Sequence, residues 1–579
     1  MSDFLLEKPA LAVEHSEAAN SDQPAETPFK WTFNVMANLG ALYMIIFTNS
    51  WAQGVPASAI PFVAARFPSE AALASWIATS STVTAAVTVA VVGHMSDALD
   101  RRSFLLFGCA VGCAGMLIAG LATTLAMVIC GQALTGLGLG CGFLSNPLLQ
   151  EMVPKTDRPV AIGFATLCSA ASFIGAPIIE GVFIQRGVGS GALDGWRAGF
   201  YVGAGLNALT FALLLLFYHP MPRPNPDGLG VWARVRRMDW LGVLLACVGC
   251  ALFLVGINYG GNPYAWSSGI VLGPMVSGIS LLIAFGLWEW KGTTVGILPH
   301  AVFRDRNFNA GLLIRVSGGF ALYGCQAYLP QVAVYVFGTD GLTTAVWQLP
   351  MNVCTVLGSL TVAVVLRFFK EVRWIIAAIL AILLLGGGLI MLQRPGISFA
   401  AWFFPTALMG LSIGCEAALL TIIAGVTTPN ETIATAVCIS TAAGFLGGAI
   451  ATTMYGQIFN AKSRVLLPRA VSEAALDAGL PASSLSDFVA AFRSGSGEAL
   501  AAVPGATQAV LQAVAKASKS AYAESFRYIW VTLIAFCVVS IVGCWLFTST
   551  TAYFTDEIAA PVVERGKRGA LERETTKAK

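Results

Sequence analysis

Charge is scarce in this chain. Asp, Glu, Lys and Arg make up 11% of its 579 residues, where a soluble globular protein carries about 25%. That leaves too little polar surface to clothe a water-facing body and excludes an ordinary soluble fold. The net charge of +3 supplies no basic field for nucleic acid. Histidine is as rare, at four residues. No HExxH run or His cluster offers a metal site, and none is expected. No GxSxG stands where it could carry a nucleophile, so an enzyme is not expected. No GxxxxGK[ST] loop exists and no polar stretch is long enough for a nucleotide-binding domain, which excludes ATP drive; no cofactor is expected. All 13 cysteines fall inside apolar runs, so no disulfide framework is readable. Cys247 and Cys250 form a CxxC within one such run, where they pack as small hydrophobes. The first residues, polar to about Glu26, lack a charged-then-apolar signal peptide. The first apolar run is therefore expected to act as its own insertion signal.

What the chain does have is apolar length. Hydrophobic residues reach 56% and mean hydropathy is +0.73. A span needs about 20 apolar residues, and runs of that kind lie at 34–56, 73–92, 104–122, 124–147, 159–184, 198–218, 240–260, 268–290, 309–336, 344–366, 374–392, 399–426, 433–458 and 527–549. The expected fold is an all-α polytopic membrane protein with fourteen transmembrane helices, the lipid bilayer its solvent. The 60 glycines suit close helix–helix contact in lipid. Short loops on one side hold fourteen Lys and Arg, against Arg66, Arg186, Arg197 and Arg394 on the other. The positive-inside rule then puts both termini in the cytoplasm, and the six basic residues between Arg565 and Lys579 agree. The sequon Asn430-Glu431-Thr432 falls on the cytoplasmic side, where it stays unused. Residues 459–526, polar to amphipathic, form an external loop, read either as a covering helix or as a gate.

Several motifs follow the spans in order. After the second comes Gly93-His94-Met95-Ser96-Asp97-Ala98-Leu99-Asp100-Arg101-Arg102. Gly93 permits a tight turn. Asp97 can accept hydrogen bonds from a helix N-terminus. Arg101 and Arg102 sit one turn on and can pair with it. Such a clasp can form in one conformation and break in another; the alternative is a positive-inside anchor. Gly195-Trp196-Arg197-Ala198-Gly199-Phe200-Tyr201 precedes the sixth span, and Met238-Asp239-Trp240-Leu241-Gly242 opens a hairpin of spans seven and eight. These stretches resemble the GxxxDxxGRR loop, the GWRxxFY signature and the D-x-x-G of the major facilitator superfamily, in its fourteen-span drug:proton antiporter type. Ala521-Tyr522-Ala523-Glu524-Ser525-Phe526-Arg527 after a long outer loop looks like the fungal branch of trichothecene efflux pumps and siderophore transporters.

The resemblance implies two six-helix bundles with an extra hairpin between them. In residue ranges it implies a cytoplasmic tail (1–33), a first bundle (34–218), a cytoplasmic linker (219–239), the hairpin (240–290), a second bundle (291–549, holding loop 459–526) and a second cytoplasmic tail (550–579). There are departures from the family pattern. Asp100 stands where the family prefers Gly, and Gln132 stands where many exporters carry Arg. In the stretch that resembles GPxxGG, Pro177 and Gly181 persist as a hinge, but Glu180 replaces a Gly.

Ionisable side chains inside spans are functional candidates because burying them is costly. Here they are Glu180, Arg315 and Glu416. Desolvation favours the neutral form of a carboxyl, which suits proton carriage, whereas Arg315 stays charged and can meet an anionic group or a carboxylate. Alternatively, Glu180 is solvated at the outer end and Arg315 snorkels to the interface. Polar and aromatic residues mark a solute cavity: Asn49, Trp51, Gln53, Gln132, Asn146, Tyr323, Gln326, Tyr328, Trp347, Gln348 and Asn352. The expected activity is proton-coupled efflux of a bulky organic compound by a monomer in the plasma membrane. The alternatives are ferric-siderophore uptake by proton symport and a receptor that lost transport.

Overall fold

The computed structural model describes residues 32–67, 73, 76–98, 100–153, 157–188, 194–219, 233, 235–236, 238–260, 264–293, 296, 298, 300–428, 433–493, 500 and 502–550. The expected tails, most of the linker and the sequon lie outside the described residues. The described chain is built from helices: α1 (Phe33–Arg66), α2 (Trp76–Ala98), α3 (Arg101–Gly120), α4 (Leu125–Gly142), α5 (Ser145–Met152), α6 (Arg158–Arg186), α7 (Arg197–Phe217), α8 (Trp240–Tyr259), α9 (Gly269–Leu287), α10 (Arg306–Val332), α11 (Gly341–Phe368), α12 (Val372–Ile390), α13 (Phe399–Val426), α14 (Ile433–Asp477), α15 (Leu485–Arg493) and α16 (Gln508–Gly543).

Their starts are written in the sequence. Asp100, Asp239, Asp305 and Asp340 each accept a hydrogen bond from the backbone N–H three residues on, at 3.1, 2.8, 2.9 and 2.9 Å. Thr124 does the same for α4. Such caps satisfy donors that the helix itself leaves open. Asp239 also accepts from Trp288 Nε1 at 2.8 Å, tying the two arms of the α8–α9 hairpin together.

Thirteen of the helices are long and apolar enough to cross a membrane, α4 and α5 counting as one span. The remaining expected span is α10. It has 27 residues, about 40 Å of helix, but Arg306, Asn307, Asn309, Arg315, Gln326 and Gln331 dilute its apolar character. It sits inside the protein against α13, α14 and α16, so lipid does not select its composition.

Helices α1–α7 form one bundle, with its core around Trp51, Met116, Trp196 and Phe200. Helices α10–α14 and α16 form the other, around Phe320, Trp402, Tyr455 and Trp530. The bundles meet along two seams, α2 on α14 and α6 on α11, and α8 lies beside the first seam against α2 and α14. Outward-facing Leu216, Leu244, Ile283 and Val539 are exposed, an apolar surface suited to lipid.

The expected external loop needs correction. Instead of ending near 458, α14 continues as 45 residues, about 68 Å, against a hydrocarbon core of about 30 Å. Likewise α16 starts at Gln508 rather than 527. With α15 the two projections enclose a core of their own: Val471, Ala475, Leu480, Phe488, Val510 and Val514. Apolar residues four apart on each projection face one another while polar ones face out. Read along the chain, that pattern averages to a hydropathy typical of a loop. Where the projections leave the bundle, Phe459 stacks on Phe526 at 4.5 Å and on Tyr522 at 6.2 Å.

Candidate functional site

The two bundles enclose a cavity of about 190 Å³ at their junction. Its wall is periodic, as helices dictate. Helix α1 gives Ile46, Asn49, Ser50 and Gln53; α10 gives Arg315, Gly318, Gly319, Leu322, Tyr323 and Gln326; α13 gives Ile413, Glu416, Ala417 and Thr421. Asn146 comes from α5, Phe173 from α6, Asn352 and Thr355 from α11, and Gly444 from α14. Arg315 is the one cation and Glu416 the one carboxyl among the lining residues.

Glu416 lies over Gly318 of α10, where any side chain would overlap its carboxyl oxygens. Neither of those oxygens has a hydrogen-bond partner. The Arg315 Nη1 donates to the Ala417 carbonyl at 3.2 Å, one residue along α13 from Glu416. The charges thus share a cavity without a direct hydrogen bond. Arg315 points inward rather than snorkelling out. Tyr323 stacks on Phe445 at 5.1 Å, which turns an aromatic wall toward the cavity.

Of the expected cavity residues, Asn49, Gln53, Asn146, Tyr323, Gln326 and Asn352 come together here. Gln132, Trp347 and Gln348 do not. Gln132 is fully buried on α4 and neither end of its amide has a partner. Trp347 belongs to an aromatic cluster, with Phe337 at 4.5 Å and Trp402 at 5.4 Å, and its carbonyl accepts from Trp402 Nε1. Gln348 neighbours it on α11. Tyr328 is buried and donates to the Thr452 carbonyl at 3.0 Å, and Trp51 donates to the Gly199 carbonyl at 3.1 Å. Polar side chains facing a neighbouring helix read the same in sequence as those facing a cavity. The small hydroxyls Ser50, Ser169, Thr355 and Ser359 also line the space. They carry no sequence signal, since Ser and Thr throughout membrane helices bond back to their own turn.

Glu180 is fully buried but away from this cavity, neither solvated nor facing solute. It packs on the backbone of Gly199 in α7, beside Val55 of α1, where a Cβ on Gly199 would overlap its carboxyl. Next to it, Gly181 lets α6 approach the backbone of Gly341 and Leu342, with a hypothetical Cβ only 2.9 Å from the Gly341 oxygen.

At the opposite end, Gly93 presses α2 onto α14, where a Cβ would come within 2.5 Å of the Cys438 Cβ. The helix cap there is Asp100, the residue that departs from the family pattern; the Asp97 side chain lies outside the described residues. Arg101 forms a buried ion pair with Glu151 of α5, and Arg102 donates to the Leu215 carbonyl of α7 at 2.8 Å. Glu151 was not legible as a partner, because it precedes a loop where an acidic residue reads as solvated. Among the described residues no group of His, Cys, Asp and Glu could hold a metal.

Comparison with known proteins fits this geometry. With the major facilitator proton:xylose symporter XylE, solved with 6-bromo-6-deoxy-D-glucose, the structure superposes at a TM-score of 0.57 and 14% identity, over 91% of this chain and 98% of that one. The likeness establishes the major facilitator fold. The trichothecene efflux pump TRI12 of Fusarium sporotrichioides is 23% identical over 542 residues, 92% of this chain and 89% of that protein. The aspyridones efflux protein of Neocamarosporium betae is 28% identical over 379 residues. That match spans 65% of each protein, just under two thirds of the relative's length. The family model described as fungal trichothecene efflux pump (TRI12) matches residues 13–575, and the chain belongs to that family.

Proposed function

We propose that the protein exports a bulky organic compound, a toxin or other secondary metabolite, in exchange for protons by alternating access. The observation that carries this reading is the cavity at the bundle junction, in which one cation, Arg315, and one carboxyl, Glu416, sit among amides contributed by both halves. In an exchanger the solute and the proton compete for one site. Glu416 is the proton carrier in this reading, and Arg315 is the charge that favours release of its proton or holds a polar group of the solute. The cavity is smaller than the roughly 300–1,000 Å³ of drug-sized sites, so a bulky cargo loads when the bundles part. The relatives' names, which speak of trichothecenes and aspyridones, support this solute class. None of the findings favours siderophore uptake.

In the same reading the Gly93 end faces the cytoplasm, as the basic loops require, and both termini lie there, with the protein working as a monomer in the plasma membrane. The bundles 34–218 and 291–549 rock about the cavity, the hairpin 240–290 stays beside them, Gly93, Asp97, Arg101 and Arg102 form the inner switch, and Pro177 and Gly181 serve as the hinge. The test is accumulation of a panel of fungal toxins and siderophores in cells with and without the protein. Lower accumulation of a toxin supports export; higher accumulation of a siderophore overturns it; binding without flux indicates a receptor.

A further inference from the structure

Pro177 lies inside α6. Proline has no N–H, so the carbonyl four residues back, that of Phe173, loses its helical donor. A neighbouring helix often satisfies such a carbonyl in a membrane protein. Here the donor comes from the other bundle: Asn352 Nδ2 of α11 donates to the Phe173 carbonyl at 3.0 Å. Phe173 and Asn352 both line the cavity. The bond crosses the same α6–α11 seam that Gly181 and Gly341 close farther along, so one hydrogen bond is both a seam contact and part of the cavity wall.

We propose that the Phe173 carbonyl is a latch that senses solute. With the cavity empty, Asn352 holds the carbonyl and keeps α6 against α11. A solute hydroxyl or N–H within the cavity takes the carbonyl from Asn352, and the seam is free to part. The cargo class this selects is an organic compound with at least one hydrogen-bond donor. The inference rests on the cavity being the solute site, but the latch itself is tested without solute.

The experiment uses the full chain in lipid nanodiscs, with spin labels carried by unnatural amino acids at Val188 and Val346, near the ends of α6 and α11, so that the native cysteines stay unlabelled. Distance distributions give the ratio of parted to closed seams. Asn352→Ala and Asn352→Asp are expected to raise that ratio by about two- to tenfold, the worth of one ordinary hydrogen bond. Pro177→Ala returns an N–H to the Phe173 carbonyl and should raise it in the same direction; it serves as the test where the Asn352 variants do not fold. The double variant should go no further than the larger single effect, a non-additivity that unrelated packing defects do not show. An unchanged ratio in Asn352→Ala, or additive effects in the double variant, overturns the latch. A second arm adds a hydroxylated trichothecene and its methyl ether to the wild type. A rise with the alcohol and none with the ether supports solute sensing; equal responses overturn it. Loss of all flux with the distance response intact would instead count against the export reading.

Discussion

Glu416→Gln isolates the coupling step. The substitution keeps shape and polarity, so the contact over Gly318 persists, but the side chain no longer exchanges a proton. The magnitude follows from the cavity wall. Glu416 is its one carboxyl, so the proposed exchange is expected to move one proton per solute. Each unit of pH gradient is then worth about 1.4 kcal/mol, or about a tenfold solute gradient. The assay is solute accumulation in inside-out vesicles at a series of imposed pH gradients, using a compound found in the export panel. Wild type should give a slope of about one decade per pH unit, and Glu416→Gln a slope near zero with downhill flux retained. Glu180→Gln, outside the cavity, should leave the slope as in wild type. A wild-type slope in Glu416→Gln would refute the assignment, and a lost slope in Glu180→Gln would move coupling to the α6–α7 contact.

Gly93→Ala forces a Cβ onto Cys438; overpacking of about 1–3 kcal/mol should disfavour closure of that end, seen as slower turnover with little change in apparent affinity. Glu151→Gln leaves the buried Arg101 without its acidic partner and should lower thermal stability by up to about 3–5 kcal/mol; replacing both residues with Met should be milder than either single change, as double-variant melting curves will tell. Gln132→Leu removes a buried amide without partners and should stabilise by about 1–3 kcal/mol; a higher melting temperature with normal flux would assign Gln132 to packing, whereas lost flux would return it to the transport path.

The helices were legible because a lipid-facing helix must be apolar for about 20 residues, and that demand acts on the chain locally. Side-chain rotation is set by the neighbours. Depth along a span placed Arg315 and Glu416 within the bilayer, and only packing turned both toward one cavity. The same limit explains Gln132 and Trp347, at plausible depth but turned into helix contacts. Glu180 read as a proton carrier within a span or as a solvated carboxyl; it is buried away from solvent and from the cavity, because a glycine on α7 makes room for it. The projections of α14 and α16 read as an amphipathic loop with a covering helix rather than as continued spans, since their apolar stripes cover only one another.

The length of α14 has a mechanical consequence. Its first turns carry Cys438, pressed by Gly93 at one end of the protein, and its last turns carry Val471 and Ala475 in the projecting core. A rod of about 68 Å tilted by about 10° at its base moves its tip by about 12 Å. A small tilt at the Gly93 end thus becomes a displacement of about one helix width at the far end. A binder that clamps the projection is expected to hinder that tilt without reaching the cavity.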